Sequence, residues 1–466
     1  MSKSRILTSM LVMAFAIFGV SLAIAQGSLR VGASRVDITP PSDRQNPPSG
    51  KYDHEKLYVR AIVLDNGSSR AALIGADQGG LSEAIWQAAS KQIAAELNCP
   101  VENIVMSATH THSGWGPGGF PGVRALSDPN APPPPIVGQI LDAVRQAKAK
   151  LQPARVGFGT GRSYLNVNRD SVDSETHLWT QAPNLDAPSD KTVAVVEFLG
   201  SSGEPIAVYM DYAMHPTTGF LTGITSADFP GAASRYIEQA FGDKAIAVFV
   251  QGASGDQNPL YLRAGTNAMA SRGGAPITGF VMTREPIEAP IRDGKVKAGP
   301  PDPNVRDVLE RVMDSEGVLL GEEVIRVMTN IKRLDASPTI SAQQKVVSCP
   351  GRKRIDNARE GTPGTYEDSG PVSIRLGALR IGNIALTSVD AELYSPIGLR
   401  LKRESPMANT FMVTLANGMA NSGYIPNDTA SGALTFQVLG SKLKPGCAET
   451  AIVNGLLDLI ATTQIR

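Results

Sequence analysis

A strand–helix–strand pattern that runs into a polar cluster is the feature that most constrains the fold. Residues 57–65 alternate as a strand, and residues 71–76 form a second apolar run. Residues 82–97 have the spacing of an amphipathic helix, with apolar side chains along one stripe. Residues 101–108 are again strand-like and lead directly to His110. Polar residues at the end of such a strand are typical of an α/β protein with a functional site there.

The remaining chain continues the same alternation. Helical spacing predicts helices over 136–151, 227–241, 305–329 and 448–462. Apolar runs predict strands over 193–198, 206–212 and 245–250. Several more strand candidates lie in 338–386, interrupted by a polar loop at 352–370. Residues 262–304, rich in Gly, Pro, Arg and Ala, are expected to cross the surface. We find no internal repeat and no clear linker. The prediction is one large mixed α/β domain whose site lies where strand ends converge.

The N-terminus has the three parts of an export signal. Lys3 and Arg5 form a positive region, an apolar run follows over 6–24, and Ala23-Ile24-Ala25 matches a small-x-small cleavage site. We therefore predict a signal peptide at 1–25 and a mature domain at 26–466 that is secreted or periplasmic. The alternative is an uncleaved anchor, since the run is near the lower length limit for a spanning helix.

Charge and cysteine content exclude several classes of protein. Lys+Arg and Asp+Glu both number 44, so the sequence has no basic excess that would favour nucleic acid. The three cysteines are Cys99, Cys349 and Cys447, and their wide spacing matches no zinc-knuckle pattern. Cys349 and Cys447 could pair in an oxidising compartment, which would leave one cysteine free.

Three of the five histidines follow strand-like runs and are candidates for a metal site. His110 and His112 are two residues apart, and neutral imidazole is the commonest side-chain ligand of zinc. The alternative is a pair of solvated loop histidines. His215, in Met214-His215-Pro216, is by itself more typical of a capping or core histidine than of a metal ligand.

Two further candidates lie late in the chain. Glu392 follows an apolar strand, and Tyr424 lies in the segment 420–426, which is rich in Asn, Ser and Gly. Alone, Glu392 would be read as a surface carboxylate and Tyr424 as a packing residue. Asp77 and Asp228 could support metal-binding histidines, or serve as turn or cap residues.

The order of several motifs resembles the neutral/alkaline non-lysosomal ceramidase family over most of the mature chain. The sharpest match is SATHTHSG at 107–114, nearly identical to that family's motif. The other matches are GASRVDITP at 32–40, Arg60-Ala61, Asp77, NVNR at 166–169, MHPT at 214–217, SAD at 226–228, GDQNP at 255–259, the strand ending at Glu392, and NSGY at 421–424.

The resemblance implies a role for each matching residue. One zinc ion per chain would be bound by four residues: His110, His215, Glu392 and Tyr424. His112 would handle protons beside the metal, and Arg169 would face the substrate carbonyl or the oxyanion. The catalytic set implied in this way comprises His112, Arg169, Asn258 and Tyr424. Two imidazoles, a carboxylate and a phenol form a donor set suited to zinc.

Two departures separate the sequence from the family pattern. Asn258 stands where the ceramidases carry serine, and an amide cannot act as a hydroxyl nucleophile, although it can hydrogen-bond substrate or water. The longer family members continue into an immunoglobulin-like C-terminal domain, which we do not expect here.

These features lead to a functional hypothesis with two alternatives. The leading one is an exported zinc-dependent amidohydrolase that cleaves the N-acyl bond of a ceramide-like or other N-acylated substrate by attack of zinc-bound water. The alternatives are a zinc esterase or lactonase, and a noncatalytic member that binds a lipid or a glycan-like ligand. The expected partners are a small-molecule substrate and a transient membrane surface, with no nucleic acid.

Overall fold

The computed structural model describes residues 27–39, 56–114, 135–219, 225–261, 303–356 and 360–465. The strands in these ranges are β1 (Arg30–Asp37), β2 (Tyr58–Asp65), β3 (Arg70–Ala76), β4 (Ile104–Ala108), β5 (Gln152–Arg162), β6 (Asn166–Val172), β7 (Trp179–Asn184), β8 (Thr192–Gly200), β9 (Pro205–Tyr212), β10 (Ile246–Gln251), β11 (Gln257–Pro259), β12 (Leu334–Asp335), β13 (Ile340–Arg354), β14 (Tyr366–Ile381), β15 (Ile384–Val389), β16 (Glu392–Leu393), β17 (Asn409–Val413) and β18 (Tyr424–Ile425). The α-helices are α1 (Glu83–Leu97), α2 (Pro135–Ala149), α3 (Asp228–Ala240), α4 (Pro303–Asn330), α5 (Ser395–Glu404), α6 (Phe436–Gly440) and α7 (Ala448–Ile465).

Two sheets packed face to face form the centre of the fold. Among the described residues, nine strands form a mixed sheet in the order β10-β9-β8-β5-β1-β2-β3-β4, with β12 beside β5, and four strands form a second sheet in the order β13-β14-β15-β17. One hydrophobic cluster joins side chains of both sheets, such as Ile62 and Phe411. Helices α1 to α4 cover the outer face of the large sheet, and α5 and α7 contribute to the cluster outside the small one. The mixed α/β class predicted from the sequence is confirmed.

The two ends of the large sheet approach each other. At Gly75 in β3, an added Cβ would lie 2.8 Å from a methyl group of Val248 and 3.0 Å from the carbonyl oxygen of Phe249, both in β10. Only glycine allows this contact without displacing backbone. The approach brings the carboxyl ends of β4, β9 and β10 to one place, and the candidate histidines follow two of these strands.

Most of the predicted elements are confirmed within one to three residues. One prediction is wrong: the polar loop expected over 352–370 is much shorter, because β13 and β14 pair as a long hairpin as far as Arg354 and Tyr366. Strands tolerate polar residues when their side chains face solvent, so composition alone misplaced the boundary. The predicted signal peptide and residues 262–302 of the predicted surface excursion lie outside the described residues, and helix α4 already begins at Pro303.

A disulfide joins the two cysteines that the sequence suggested could pair. Cys349 in β13 is bonded to Cys447, just before α7, and Cys99 is free. The bond fastens the closing helix to the small sheet. Over the described residues, no helix is both long enough and apolar enough to cross a membrane.

Candidate metal centre

His110 lies just past the end of β4 in a constrained backbone conformation. Its φ of 67° lies in the left-handed region, which is uncommon for residues other than glycine. Its backbone N–H donates to the Gln78 carbonyl at 2.9 Å, and its ring Nδ1–H donates to the Gly79 carbonyl at 2.6 Å. Because a carbonyl only accepts, the proton is on Nδ1, and the lone pair of Nε2 faces the centre of the site.

His215, which follows β9, is also oriented by hydrogen bonds from its Nδ1–H to backbone carbonyls. It is fully buried, and its Nδ1–H donates to the backbone carbonyls of Ser254 at 2.8 Å and Gln257 at 3.1 Å. Those carbonyls belong to the loop after β10, the parallel neighbour of β9. Pairing of the two strands therefore sets the direction of the imidazole ring and leaves its Nε2 facing His110.

Glu392 and Tyr424 are brought together by a short parallel pair of strands. They are direct partners in the register of β16 and β18, so residues 32 positions apart in the chain become neighbours. Glu392 Oε2 lies 3.1 Å from His110 Nε2 and 3.3 Å from His215 Nε2. The Tyr424 hydroxyl lies 3.5 Å from His215 Nε2.

His112 belongs to the same cluster. Its Nε2 lies 3.3 Å from His110 Nε2, and the ligand atoms of His110, His112 and His215 all lie within 4.8 Å of one another. The backbone N–H of His112 donates to the Pro216 carbonyl, which links the two histidine-bearing loops. The structure thus gathers all the metal ligands suggested by the sequence and places His112 beside them.

The spacing of the donor atoms fits a shared metal ion. The Nε2 atoms of His110 and His215 are 3.3 Å apart. They cannot form a hydrogen bond with each other, because in both rings the proton is on Nδ1. A tetrahedral zinc with bonds of about 2.0–2.1 Å holds its ligands about 3.3–3.5 Å apart. The observed separations of 3.1–3.5 Å match this edge length.

Burial and neighbouring charges favour the metal-binding protonation states of His215, His112 and Glu392, whereas Glu392 outweighs the effect of burial and raises the pKa of His110. Burial and the nearby Arg169 cation together lower the pKa of His215 to about 3. Burial, with His110 and His215 nearby, lowers the pKa of His112 well below its usual value. Burial raises the pKa of Glu392, but His110 and His215 outweigh it, so the carboxyl is ionised. Neutral imidazoles and a carboxylate are the forms that coordinate zinc.

Arg169 lies at the edge of this centre, fully buried in β6. Its guanidinium donates from Nε and Nη2 to the Gly255 carbonyl at 3.2 and 2.5 Å, and from Nη1 to Asn258 Oδ1 at 3.1 Å. Its Cζ lies 5.4 Å from the ring centroids of both Tyr424 and Phe436. Asn258 therefore helps to hold the cation beside the proposed ligand Tyr424.

A buried ion-pair network lies behind His110. Arg60 in β2 donates to Asp77 Oδ2 and to Glu238 Oε1, both at 3.0 Å, and all three residues are buried. Asp77 Oδ2 also accepts the backbone N–H of Tyr58 at 2.8 Å. The network anchors the chain immediately before residues 78–79, whose carbonyls hold His110.

The carboxylate partners considered for the histidines are not found. Asp77 pairs with Arg60, and Asp228 accepts the backbone N–H groups of Gly219 at 2.9 Å and Phe229 at 2.8 Å, which is the turn and cap role weighed as the alternative. Backbone carbonyls orient both imidazoles instead. A backbone carbonyl carries no sequence signal, so its part in the site was not predictable.

Two side chains of the site were assigned no role from the sequence, although Arg60 lies in one of the matching motifs. Arg60 is a charged residue within an otherwise apolar strand, and that pattern is itself a signal of a buried ion pair. Phe436, whose ring lies 5.4 Å from the ring of Tyr424, lies in a short helix that no motif marks.

Residues 44–271 match the model of the family described as neutral/alkaline non-lysosomal ceramidase, N-terminal. The chain is similar to this family over that segment, which is just under half of its length. Among curated relatives, neutral ceramidase from Pseudomonas aeruginosa is 28% identical over 235 residues, which cover 46% of this chain and 33% of the relative. Neutral ceramidase A from Dictyostelium discoideum is 28% identical over 262 residues, which cover 50% and 36%. The alignments thus span about a third of these ceramidases.

The fold extends the likeness beyond the aligned segment. A solved structure described as a ceramidase complexed with C2 superposes with a TM-score of 0.68 at 17% identity, covering 94% of this chain and 76% of that one. The crystal structure of neutral ceramidase from Pseudomonas aeruginosa gives a TM-score of 0.65, also at 17% identity, over 94% and 75%. At this identity the match establishes a shared ceramidase fold.

Proposed function

We propose that the protein is a zinc-dependent hydrolase that cleaves the amide bond of a ceramide-like or other N-acylated substrate. The observation that carries the proposal is the convergence of four donor groups from distant parts of the chain. Their separations of 3.1–3.5 Å are those of ligands around one small cation. The family's curated relatives are named neutral ceramidases, which supports the choice of bond.

One zinc ion per chain would be held by His110, His215, Glu392 and Tyr424. When bound, zinc supplies a Lewis acid that polarises a carbonyl group and lowers the pKa of water toward neutrality. His112 lies close enough to this set to take part as a ligand or as a proton acceptor, and we assign it the second role. Burial and the neighbouring histidines lower its pKa well below the usual value, which keeps the imidazole in the neutral form that a proton acceptor requires.

Arg169 would stabilise negative charge on the substrate oxygen. Its guanidinium has five N–H donors, of which three point at Gly255 and Asn258. Buried and fixed by these contacts, the cation needs little reorganisation when charge develops beside it. Tyr424 would contact both the metal and the cation that stabilises the oxyanion. Its hydroxyl lies 3.5 Å from His215 Nε2, and its ring centroid lies 5.4 Å from Arg169 Cζ.

Asn258 is the point at which this chain departs from the ceramidases. Its Oδ1 accepts from Arg169, so the amide orients the cation and leaves its NH₂ group for substrate or water. It cannot supply a hydroxyl nucleophile. Because Asn258 stands where the ceramidases carry serine, the natural acyl substrate is left for the substrate panel to identify. The same difference motivates the alternative of a noncatalytic binding protein.

A substrate panel combined with metal analysis tests the proposal. Purified protein should contain about one zinc per chain and should hydrolyse a short-chain labelled ceramide or N-acyl amino acids. Hydrolysis of esters alone would identify an esterase or lactonase. Zinc without turnover on any substrate would identify a noncatalytic binding protein, and protein that holds no zinc and still cleaves amides would refute the metal assignment.

Export is a separate part of the proposal. It rests on the charged, apolar and Ala-x-Ala segments of residues 1–25. N-terminal sequencing of protein recovered from the periplasm or medium should begin at Gln26. Protein that stays in the cytoplasm with Met1 retained would refute it.

A further inference from the structure

Residues 415–417, which we call the bridging segment, follow β17 in a strained backbone conformation. Leu415 has a φ of 52° and Asn417 has a φ of 63°, so both lie in the left-handed region. Asparagine enters this region more readily than most residues, whereas leucine rarely does. Both residues and Ala416 between them are buried. Such a conformation persists only where the surrounding structure holds it, so the contacts of the bridging segment indicate its role.

One side of the bridging segment pairs with β4, the last strand in the order of the large sheet. The backbone N–H of Asn417 donates to the Met106 carbonyl at 2.7 Å, and the Met106 N–H donates to Asn417 Oδ1 at 2.9 Å. The Ala108 N–H donates to the Leu415 carbonyl at 3.3 Å. The asparagine side chain thus completes a pairing that a strand backbone would otherwise make. These bonds fix the end of β4, which leads to His110.

The other side of the bridging segment pairs with the chain that leads to Glu392. The Leu415 N–H donates to the Ala391 carbonyl at 3.2 Å, and the Ala416 N–H donates to the Val389 carbonyl at 3.0 Å. Val389 ends β15 of the small sheet, and Glu392 directly follows Ala391. The bridging segment therefore joins the edge of the large sheet to the small sheet beside the metal centre.

Three of the four proposed zinc ligands are connected to this one segment. His110 follows the strand on one side, Glu392 follows the strand on the other, and Tyr424 begins β18, the next strand along the chain. His110 Nε2 and Glu392 Oε2 thus come from different sheets, yet they lie 3.1 Å apart. Groups that orient metal ligands typically contribute about 10- to 100-fold to metal affinity.

We propose that Asn417 is a positioning residue that holds the segments of His110 and Glu392 at the separation that the metal requires. This inference rests on the proposed zinc site. Asparagine suits the position for two reasons: its amide oxygen accepts the Met106 N–H, and its backbone tolerates the left-handed conformation. Removal of the amide leaves the buried Met106 N–H without this acceptor and loosens the end of β4.

The zinc affinity of two variants tests the assignment. Asn417→Gly keeps the left-handed backbone and removes the acceptor. Its zinc dissociation constant, measured by competition with a chromophoric chelator, should rise about 10- to 100-fold. Asn417→Asp keeps an acceptor oxygen and should recover most of that loss. The visible spectrum of Co²⁺ bound in place of zinc should change in the glycine variant, because it reports the arrangement of the ligands.

Asn66→Ala is the matched control. Asn66 is also a buried asparagine whose side chain bonds to backbone, since it donates to the Pro338 carbonyl at 3.0 Å and accepts the Ser69 N–H at 2.8 Å. It lies between β2 and β3, at the end of these strands opposite to the metal centre. Its loss should lower the midpoint of urea denaturation and leave the zinc dissociation constant and the Co²⁺ spectrum unchanged.

The outcomes separate positioning from general stability. Unchanged zinc affinity in Asn417→Gly would overturn the inference, as would an aspartate variant that binds zinc as weakly as the glycine variant. Equal weakening by Asn417→Gly and Asn66→Ala would also overturn it, since that indicates a general loss of stability. If Asn417→Gly does not fold, Asn417→Ser, whose shorter side chain reaches less far toward Met106, replaces it with the same expected change. An unmodified protein that binds no zinc would refute the metal assignment itself, and the inference with it.

Discussion

The histidine loops of the metal centre and the adjacent face of β6 and β7 differ in how their polar atoms are satisfied. Around His110 and His215, each Nδ1–H has a backbone carbonyl partner, and each Nε2 faces the same point. Around Gln181, both amide atoms are buried without a partner in the described structure. The first arrangement is rigid and suited to one permanent ion. The second contains buried polar atoms whose hydrogen bonds are not made in the described structure, which lowers the stability of the fold.

The largest effect is expected from the metal ligands. His110→Ala removes one of four donors, so zinc content should fall from about one per chain to near zero and hydrolysis should drop by about 10³-fold or more. Atomic absorption and a hydrolysis assay measure both. His177→Ala, at an exposed histidine, is the control and should retain both properties. Full zinc content in the His110→Ala protein would mean that the metal lies elsewhere.

The next largest effect is expected in the free energy of unfolding, from the ion-pair network behind His110. Arg60→Met leaves Asp77 buried without its arginine partner and removes one of the two arginines that pair with Glu238, which should cost about 3–5 kcal/mol in the free energy of unfolding. Urea denaturation measures the loss. The control Arg145→Met breaks an ion pair whose arginine is 55% exposed and should cost about 1 kcal/mol or less. Equal losses for the two variants would show that the buried network does not support the centre.

A buried glutamate outside both regions provides the pH test. Burial raises the pKa of Glu197 to about 7, whereas the histidines lower that of Glu392. Since the folded-state pKa of Glu197 exceeds the unfolded value of about 4.5, its contribution is full below pH 4.5 and is lost as pH rises through 7.

Glu197→Gln should therefore gain stability relative to the unmodified protein as pH rises from about 5 to 8, by roughly 2 kcal/mol. Denaturation curves at several pH values measure this difference. A constant difference between the two proteins across the range would contradict the raised pKa.

The smallest effect is expected at the edge of the centre. Asn258→Ala removes one acceptor from Arg169, and loss of a hydrogen bond to a charged group should lower kcat/KM by about tenfold with zinc content unchanged. Asn258→Asp keeps an acceptor and should retain more activity than the alanine variant. If Asn258→Ala is fully active, the amide does not orient Arg169.

Much of the fold followed from local patterns. The periodicity of residues 82–97 predicted α1, and the apolar runs before His110 and His215 predicted the strands that carry them. These signals are strong because burial of one face repeats along the element. The extent of the β13–β14 hairpin was not predictable, since its polar end is joined by backbone hydrogen bonds and an exposed Lys353–Glu367 ion pair rather than by a buried apolar face.

The site was predictable as a set of residues but not as an arrangement. His110, His215, Glu392 and Tyr424 were named through their motifs, and the structure brings all four together. Asp77 was considered for the wrong partner, because a carboxylate near a histidine in sequence need not face it. Gln181 and Asn417 had no motif, and they became notable only when their burial was known.

The sequence by itself determined the types of donor available, the mixed α/β class and the departure at Asn258, because these depend on residue identity and local periodicity. Tertiary structure alone decided which atoms converge. The close approach of Gly75 to Val248 and the pairing of Glu392 with Tyr424 join segments that are far apart in the chain. Backbone carbonyls then orient the imidazoles, and their positions depend on the path of the chain rather than on any side chain.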